Sequence, residues 1–306
     1  MTYDTVSKSD RLRLLLAEKS VTKALGAHSA LTALLVEEAK FDVVWASGLE
    51  ISAARAVPDA NILSAVEVLD AAAQMAEAVS IPVLADCDSG FGNVNNVIHT
   101  VRSFERRGIA GICIEDKLYP KLNSFAEGPQ LLAPITDFAG RIHAAAVERS
   151  ELVIVARIEA LIAGQGLDEA LLRGRAYAAA GADALLIHSK SPEPAEVFAF
   201  RDNLDVDIPV IVVPTTYHRV TIAELAEHGF AMAIYANHVL RSSIRAVQAT
   251  AARIAAEGTT ANVESELTPV SEVFRLQGLF DMLKNQECHE SVGREIAASV
   301  EKGKVP

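Results

Sequence analysis

Eight times along this chain a short apolar run gives way to an alanine-rich stretch of helical period, and that recurrence limits the fold more than any other feature. A short run without polar alternation reads as a strand buried on both faces, and the stretch after it as the crossover to a parallel neighbour. Strands are expected at 23–27, 43–47, 82–86, 111–115, 152–157, 184–188, 209–213 and 232–235. Helices are expected at 30–39, 64–79, 94–107, 135–149, 167–180, 193–203, 222–228 and 238–257. Eight such units favour closure into an α/β (β/α)8 TIM barrel over an open sheet, because closure removes both edges. No G-x-G-x-x-G follows the first strand, which speaks against a dinucleotide fold.

No glycine-, proline- or serine-rich tract divides the 306 residues, so one domain spanning 1–306 is expected. Beyond the eighth unit, 264–305 carries apolar residues at helical spacing, as in VSEVFRLQGLFDMLKN, but has no strand to cover. This C-terminal segment either packs across the barrel or docks on another subunit. The longest stretch with neither period, 116–134, exceeds most connections in a compact domain and reads as a lid.

The net charge of −12 opposes a nucleic-acid or anionic-membrane partner, and no local basic patch offsets it. Cys87, Cys113 and Cys288 lack metal or redox spacing and read as buried packing thiols of a reducing compartment. The opening MTYDTVSKSDRLRLLLAEKS offers no long apolar segment, so a cytoplasmic location is expected.

The residues at or just past the expected strand ends are polar throughout: Ser47, Asp86, Glu115, Arg157, His188, Thr215 and Asn237. Barrel active sites form at the carboxyl ends of the strands, so these side chains converge on one candidate site. Asp86 and Asp88, two residues apart in LADCDSGFGN, are expected on one side of an extended segment, with Glu115 on the next strand facing the same point. Like charges held so close suit a hard divalent ion, Mg2+ or Mn2+. The competing reading is that the aspartates cap the helix at Val94. Arg157 and His188 suit an anionic substrate, although Glu159 offers Arg157 a plain salt-bridge partner. Gly48, in WASGLEIS, either presents backbone N–H groups to an anion or marks a turn.

Trp45-Ala46-Ser47-Gly48-Leu49, Asp86 to Asn93 (DCDSGFGN), Glu115 to Phe125 (EDKLYPKLNSF), Ala156 to Ala160 (ARIEA) and His188-Ser189-Lys190 are segments similar to the phosphoenolpyruvate mutase and phosphonopyruvate hydrolase branch of the isocitrate lyase superfamily. The resemblance runs from Gly26-Ala27-His28 to Phe274-Arg275-Leu276-Gln277-Gly278. It implies that Asp86 holds Mg2+, with Asp59, Asp88 and Glu115 completing the water shell. It implies that Trp45, Ser47, Gly48 and Leu49 hold the carboxylate and 2-oxo end of a small substrate. Asn123, Ser124, Arg157 and His188 are implied around the phosphoryl group, with Lys117 and Lys121 reaching in from the lid. Asp59, Lys121, Asn123, Arg157 and His188 are the implied catalytic residues. A homo-oligomer, a dimer of dimers exchanging the C-terminal helix, is also implied.

The activity expected from this resemblance is interconversion of phosphoenolpyruvate and phosphonopyruvate. Hydrolysis of phosphonopyruvate is the alternative. Residues 56–64 and 157–164 look more like the hydrolase, whereas Pro120-Lys121-Leu122-Asn123-Ser124-Phe125 looks like the mutase; the hydrolase typically has threonine at the position of Asn123. Carbon–carbon lyases of the superfamily carry a K-[KR]-C-G-H loop, whose cysteine is missing here. A relative that binds a dianion without turnover is disfavoured by the complete carboxylate set and Arg157.

Overall fold

Along the fifth strand Val153 and Val155 pack into one apolar cluster, while Ile154 and Ala156 pack into another. That alternation is the period of two of an extended chain buried on both faces. In the computed structural model, which describes residues 6–302, eight strands close into a barrel in sequence order, each parallel to its neighbours, and all but the first, where Lys23 is exposed, are buried along nearly their whole length. They are β1 (Thr22–Ala27), β2 (Val43–Ala46), β3 (Val83–Asp86), β4 (Gly111–Glu115), β5 (Val153–Ile158), β6 (Ala184–Ile187), β7 (Val210–Val212) and β8 (Met232–Tyr235). The fold is therefore a (β/α)8 barrel, with the strands close to their expected bounds.

The helices, in chain order, are α1 (Lys8–Ala17), α2 (Ala30–Glu38), α3 (Gly48–Ala54), α4 (Ala65–Ala78), α5 (Val94–Arg106), α6 (Ile135–Glu148), α7 (Gly166–Ala179), α8 (Ala195–Asn203), α9 (Ile222–Glu227), α10 (His238–Glu257), α11 (Val270–Leu276) and α12 (Leu279–Glu301). Two were not expected, α1 and α3. In α1, Leu12 and Leu16 join Trp45, Leu84, Val153, Leu186 and Met232 inside the barrel. Gly111 makes room for this plug, since a Cβ there would lie 3.0 Å from Leu12 and 2.9 Å from Val153. The outer cluster lies between sheet and helices and includes Val36, Met75, Phe104, Phe138, Tyr177 and Phe200.

The inward parity of the strands fixes what reaches the top of the barrel. Two residues beyond each inward core residue stands the next inward side chain: Ser47 after Trp45, Asp86 after Leu84, Glu115 after Cys113, Arg157 after Val155 and His188 after Leu186. The candidate site is thus the last layer of the barrel interior, made polar.

The chain divides into two compact units, Met1–Ile244 and Arg245–Pro306. Within the second, a 3-10 turn at Glu264–Glu266 precedes α11, and Gly278, at φ 68°, separates α11 from α12 where one continuous pattern was read. Residues 303–305 of the expected C-terminal segment, and residues 1–5 of the opening stretch, lie outside the described residues. Among the described residues no helix is long and apolar enough to cross a membrane.

Candidate active site

Glu159 organises the cationic side of the site. It is fully buried one residue past β5, and its Oε1 accepts from Arg157 Nε at 2.5 Å and lies 2.8 Å from His188 Nδ1. Its Oε2 accepts from Ser124 Oγ at 2.6 Å and pairs with Lys117 Nζ at 3.2 Å. Burial opposes its ionisation, but Arg157, His188 and Lys117 outweigh it and hold the carboxyl well below the usual carboxylate range. Burial and the Arg157 charge together lower the His188 pKa against the pull of Glu159, so the ring favours its neutral form. Arg157 NH2 also lies 2.7 Å from His188 Nδ1. That nitrogen donates to Glu159 in one tautomer and accepts from Arg157 in the other. Arg157 is therefore a salt-bridge partner of Glu159 and also lines the cavity.

Behind Glu159 stands a second buried layer. Asp116 Oδ1 accepts from the Glu159 amide at 2.9 Å, and its Oδ2 accepts from Arg173 NH1 at 2.9 Å and Tyr177 Oη at 2.8 Å, both on α7. Burial pushes the Asp116 carboxyl up to about 6 despite the Arg173 charge.

The anionic side gathers Asp59, Asp86, Asp88 and Glu115. Lys121 Nζ reaches in from the loop to lie 2.5 Å from Asp59 Oδ1 and 3.0 Å from Asp88 Oδ1, and Asn123 Nδ2 donates to Asp59 Oδ2 at 2.6 Å. Burial raises Asp59, but Lys121 and Asn123 outweigh it and lower its pKa. Burial raises Asp86, and the charges of Glu115 and Asp59 add to this against Arg157 and Lys121. Asp88 is pushed up to about 7, by burial first and by Asp86, Asp59 and Glu115 against Lys121. The lysine is raised too, against its own burial, because four carboxylates share it; one ammonium does not neutralise each of them.

The extended segment expected at Asp86 and Asp88 is corrected by the structure. β3 ends at Asp86, and Asp88 sits at φ 48° in a turn, with its amide 3.3 Å from Asp86 Oδ1. The capping alternative fails as well, because Asn93 caps α5 through its side chain. Among the described residues no three carboxylate, imidazole or thiolate side chains are gathered closely enough to hold an ion between them directly. Glu115 Oε1 is nonetheless buried without a hydrogen bond, Asp88 Oδ1 meets only the Lys121 ammonium, and Gly48 leaves the face of Asp86 Oδ2 open, since a Cβ there would lie 3.1 Å from it. An all-oxygen set, partly unsatisfied and not tightly converged, fits a small hard cation that keeps several of its waters.

Between the two sides lies a cavity of about 40 Å³. The sequence-derived residues Trp45, Ser47, Leu49, Asp59, Asp86, Lys121, Asn123, Ser124, Arg157, His188, Thr215 and Asn237 line it. Ser47 caps α3 by accepting from the Glu50 amide, and the first-turn amides of Gly48 and Leu49 have no intrahelical acceptor. Gly48, Asp88 and Glu115 stand behind the lining. Lys117 is displaced from the expected place: it is buried beneath the loop, donating to Leu122 O and Ser124 Oγ, because Glu159 draws it inward. Sequence reasoning missed Phe125, whose ring meets His188 edge-on at 5.5 Å, and Asn61, which bonds both Asp88 and the Lys121 amide.

Residues 12–255 match the family model described as phosphoenolpyruvate phosphomutase. The chain is 43% identical to a phosphoenolpyruvate phosphomutase of Tetrahymena pyriformis, over 90% of this chain and 93% of that protein. The crystal structure of a phosphoenolpyruvate phosphomutase from Streptomyces platensis subsp. rosaceus is 49% identical and superposes with a TM-score of 0.90, covering 91% of this chain and 98% of that one. A phosphonopyruvate hydrolase crystallised with oxalate and Mg2+ is 41% identical, with a TM-score of 0.86 over 91% of this chain and 97% of that one.

Proposed function

This chain belongs to the phosphoenolpyruvate phosphomutase family, and from that premise we propose that it interconverts phosphoenolpyruvate and phosphonopyruvate, breaking an oxygen–phosphorus bond as a carbon–phosphorus bond forms. The observation that carries this reading is the pairing of an oxygen-rich carboxylate cluster with an arginine–histidine pair across one small cavity closed by Lys121, Asn123 and Phe125. Arg157 and His188, with Ser124 and Asn123, hold the phosphoryl oxygens through charge-assisted bonds. The first-turn amides of Gly48 and Leu49, with Ser47 and Trp45, orient the carboxylate end. Asp86 would hold the cation directly, with Asp59, Asp88 and Glu115 reaching it through water. When bound, Mg2+, or Mn2+ in its place, supplies stabilisation of negative charge on the 2-oxo oxygen. The 116–134 loop keeps water from the phosphoryl group during transfer.

Phosphonopyruvate hydrolase is the second reading, because a hydrolase shares the fold at 41% identity. Asn123 favours the mutase: its Nδ2 is tied to Asp59, which holds the loop over the cavity. Phosphorus NMR of the protein with Mg2+ and phosphonopyruvate tests the choice. Phosphoenolpyruvate as the first product supports the mutase, and phosphate without it overturns that reading. Asn123→Thr removes the amide donor to Asp59, and the share of phosphate among products should rise several-fold; an unchanged ratio would remove the lid argument.

We extend the reading to a cytoplasmic homo-oligomer. α12 exposes Phe280, Met282, Leu283, Val292, Ile296 and Val300, an apolar surface of the kind that marks an interface between subunits. Sedimentation equilibrium should return a dimer of dimers, and a truncation ending before Leu279 should reduce the assembly. A monomeric full chain would sink this assignment.

A further inference from the structure

One side chain joins the 116–134 loop to the carboxylate cluster. Asn61 Oδ1 accepts from the backbone amide of Lys121 at 2.5 Å, and its Nδ2 donates to Asp88 Oδ2 at 2.7 Å. We propose that Asn61 is a positioning residue that couples closure of the loop to occupation of the carboxylate cluster by a divalent cation, so that each favours the other. The identity of the cation rests on the function proposed above; the link itself does not.

The chemistry of the link requires an amide. The position needs an acceptor toward the loop and a donor toward a carboxylate at the same time, and a primary amide supplies both. A carboxylate there would lack the donor, and an apolar residue would lack both. The backbone is committed to the arrangement as well. Asn61 is held at φ 55° and Asp88 at φ 48°, in a region asparagine and aspartate enter more readily than other non-glycine residues.

The link also sets the direction of Asp88. With Oδ2 engaged by Asn61, Oδ1 is the oxygen turned toward Lys121 Nζ, and that oxygen is buried with no hydrogen bond of its own. The other ties between loop and cluster, from Lys121 Nζ to Asp59 and Asp88 and from Asn123 Nδ2 to Asp59, use side chains that line the cavity and exchange partners when an anion or cation enters. The Asn61 bond uses loop backbone, and Asn61 is not among the lining residues. It therefore persists through such an exchange and transmits the orientation of Asp88 to the loop. Coupling of this kind is reciprocal: whatever fixes Asp88 favours the closed loop, and a closed loop favours whatever Asp88 helps to bind.

Limited trypsin digestion reads the loop without any turnover. Lys117 and Lys121 are the only basic residues in 116–134, and both are buried, so cleavage after either requires the loop to open. In the parent protein Mg2+ should slow this cleavage. Asn61→Gly tolerates the positive φ while removing both bonds; cleavage without Mg2+ should be about tenfold faster, the scale of one or two lost hydrogen bonds, and Mg2+ should no longer slow it, although calorimetry still detects Mg2+ binding. Asn61→Asp keeps the acceptor for the Lys121 amide, and puts a repelling carboxylate where the donor to Asp88 stood, so that bond is broken. It should retain slow cleavage in the absence of Mg2+ and lose the added protection.

Parental cleavage rates with parental Mg2+ protection in Asn61→Gly would overturn the proposal. Retained Mg2+ protection in Asn61→Asp would overturn the route through Asp88. If the glycine variant fails to fold by circular dichroism, the aspartate variant still decides. Should phosphonopyruvate prove not to be a substrate, the function proposed above fails while the cleavage result stands.

Discussion

Replacing Asp86 by alanine should abolish divalent-cation-dependent turnover of phosphonopyruvate, by about three orders of magnitude or more, as expected when a centre of transition-state charge stabilisation is removed, and should leave the barrel folded. Asp86 ends β3 on the inward parity of the strand and faces the cavity. Its ionised form is opposed by burial first and by the charges of Glu115 and Asp59, which together outweigh the favourable charges of Arg157 and Lys121. Its side chain accepts one long bond, from the Asp88 amide at 3.3 Å. Deleting it removes a repelling charge and little packing, so the denaturation midpoint in EDTA should be unchanged or higher. Steady-state rates across a Mg2+ titration, paired with a urea melt, check both halves. Full activity in the variant would overturn the metal assignment, and loss of folding would make Asp86 a structural residue.

The largest stability effect is expected at Glu159. Glu159→Ala strips Lys117 of its ion-pair partner and leaves Arg157 only the longer pair with Glu115 Oε2 at 3.4 Å, and breaking a buried pair from one side costs about 3–5 kcal/mol. Glu159→Gln keeps the size but removes the charge and should fall between the parent and the alanine variant. The sign of the pH dependence follows from the depressed folded pKa of Glu159. Its contribution to stability is fully present above the unfolded carboxyl value of 4.5 and is lost as pH falls through the folded value, well below that. Urea melts at neutral pH should therefore separate parent and variant widely, and the gap should narrow only in strong acid. Equal stability at neutral pH would show that Arg157 and Lys117 find other partners.

The barrel was legible because strands buried on both faces leave uninterrupted apolar runs, and because the first polar residue after each run marks the end of its strand. Ser47, Asp86, Glu115, Arg157 and His188 were placed by that rule and stand in one layer. The turn at Asp88 was not legible, since a positive φ leaves no mark in a segment whose residues also suit an extended chain. α1 carried a usable signal: Ser7 caps it, and Leu12, Leu15 and Leu16 follow at helical spacing. Lys117 and Lys121 look alike in sequence, and what separates them is the position of Glu159, a carboxylate distant along the chain. Asn61 and Phe125 act through partners that only the closed fold brings near.

The Glu159, Asp116, Arg173 and Tyr177 network ties the cationic side of the pocket to α7, a helix of the outer ring. Asn123 and Phe125, by contrast, sit on a loop with partly or largely exposed side chains and line the same cavity. The pocket thus divides into a foundation and a rim. Exchanges at the rim change what a bound molecule meets, at little cost to the fold, whereas exchanges at Arg157 or His188 disturb a charged network rooted in the body of the barrel. Descent with altered chemistry is cheap along the rim, and an engineer seeking a new acceptor for the phosphoryl group would begin there.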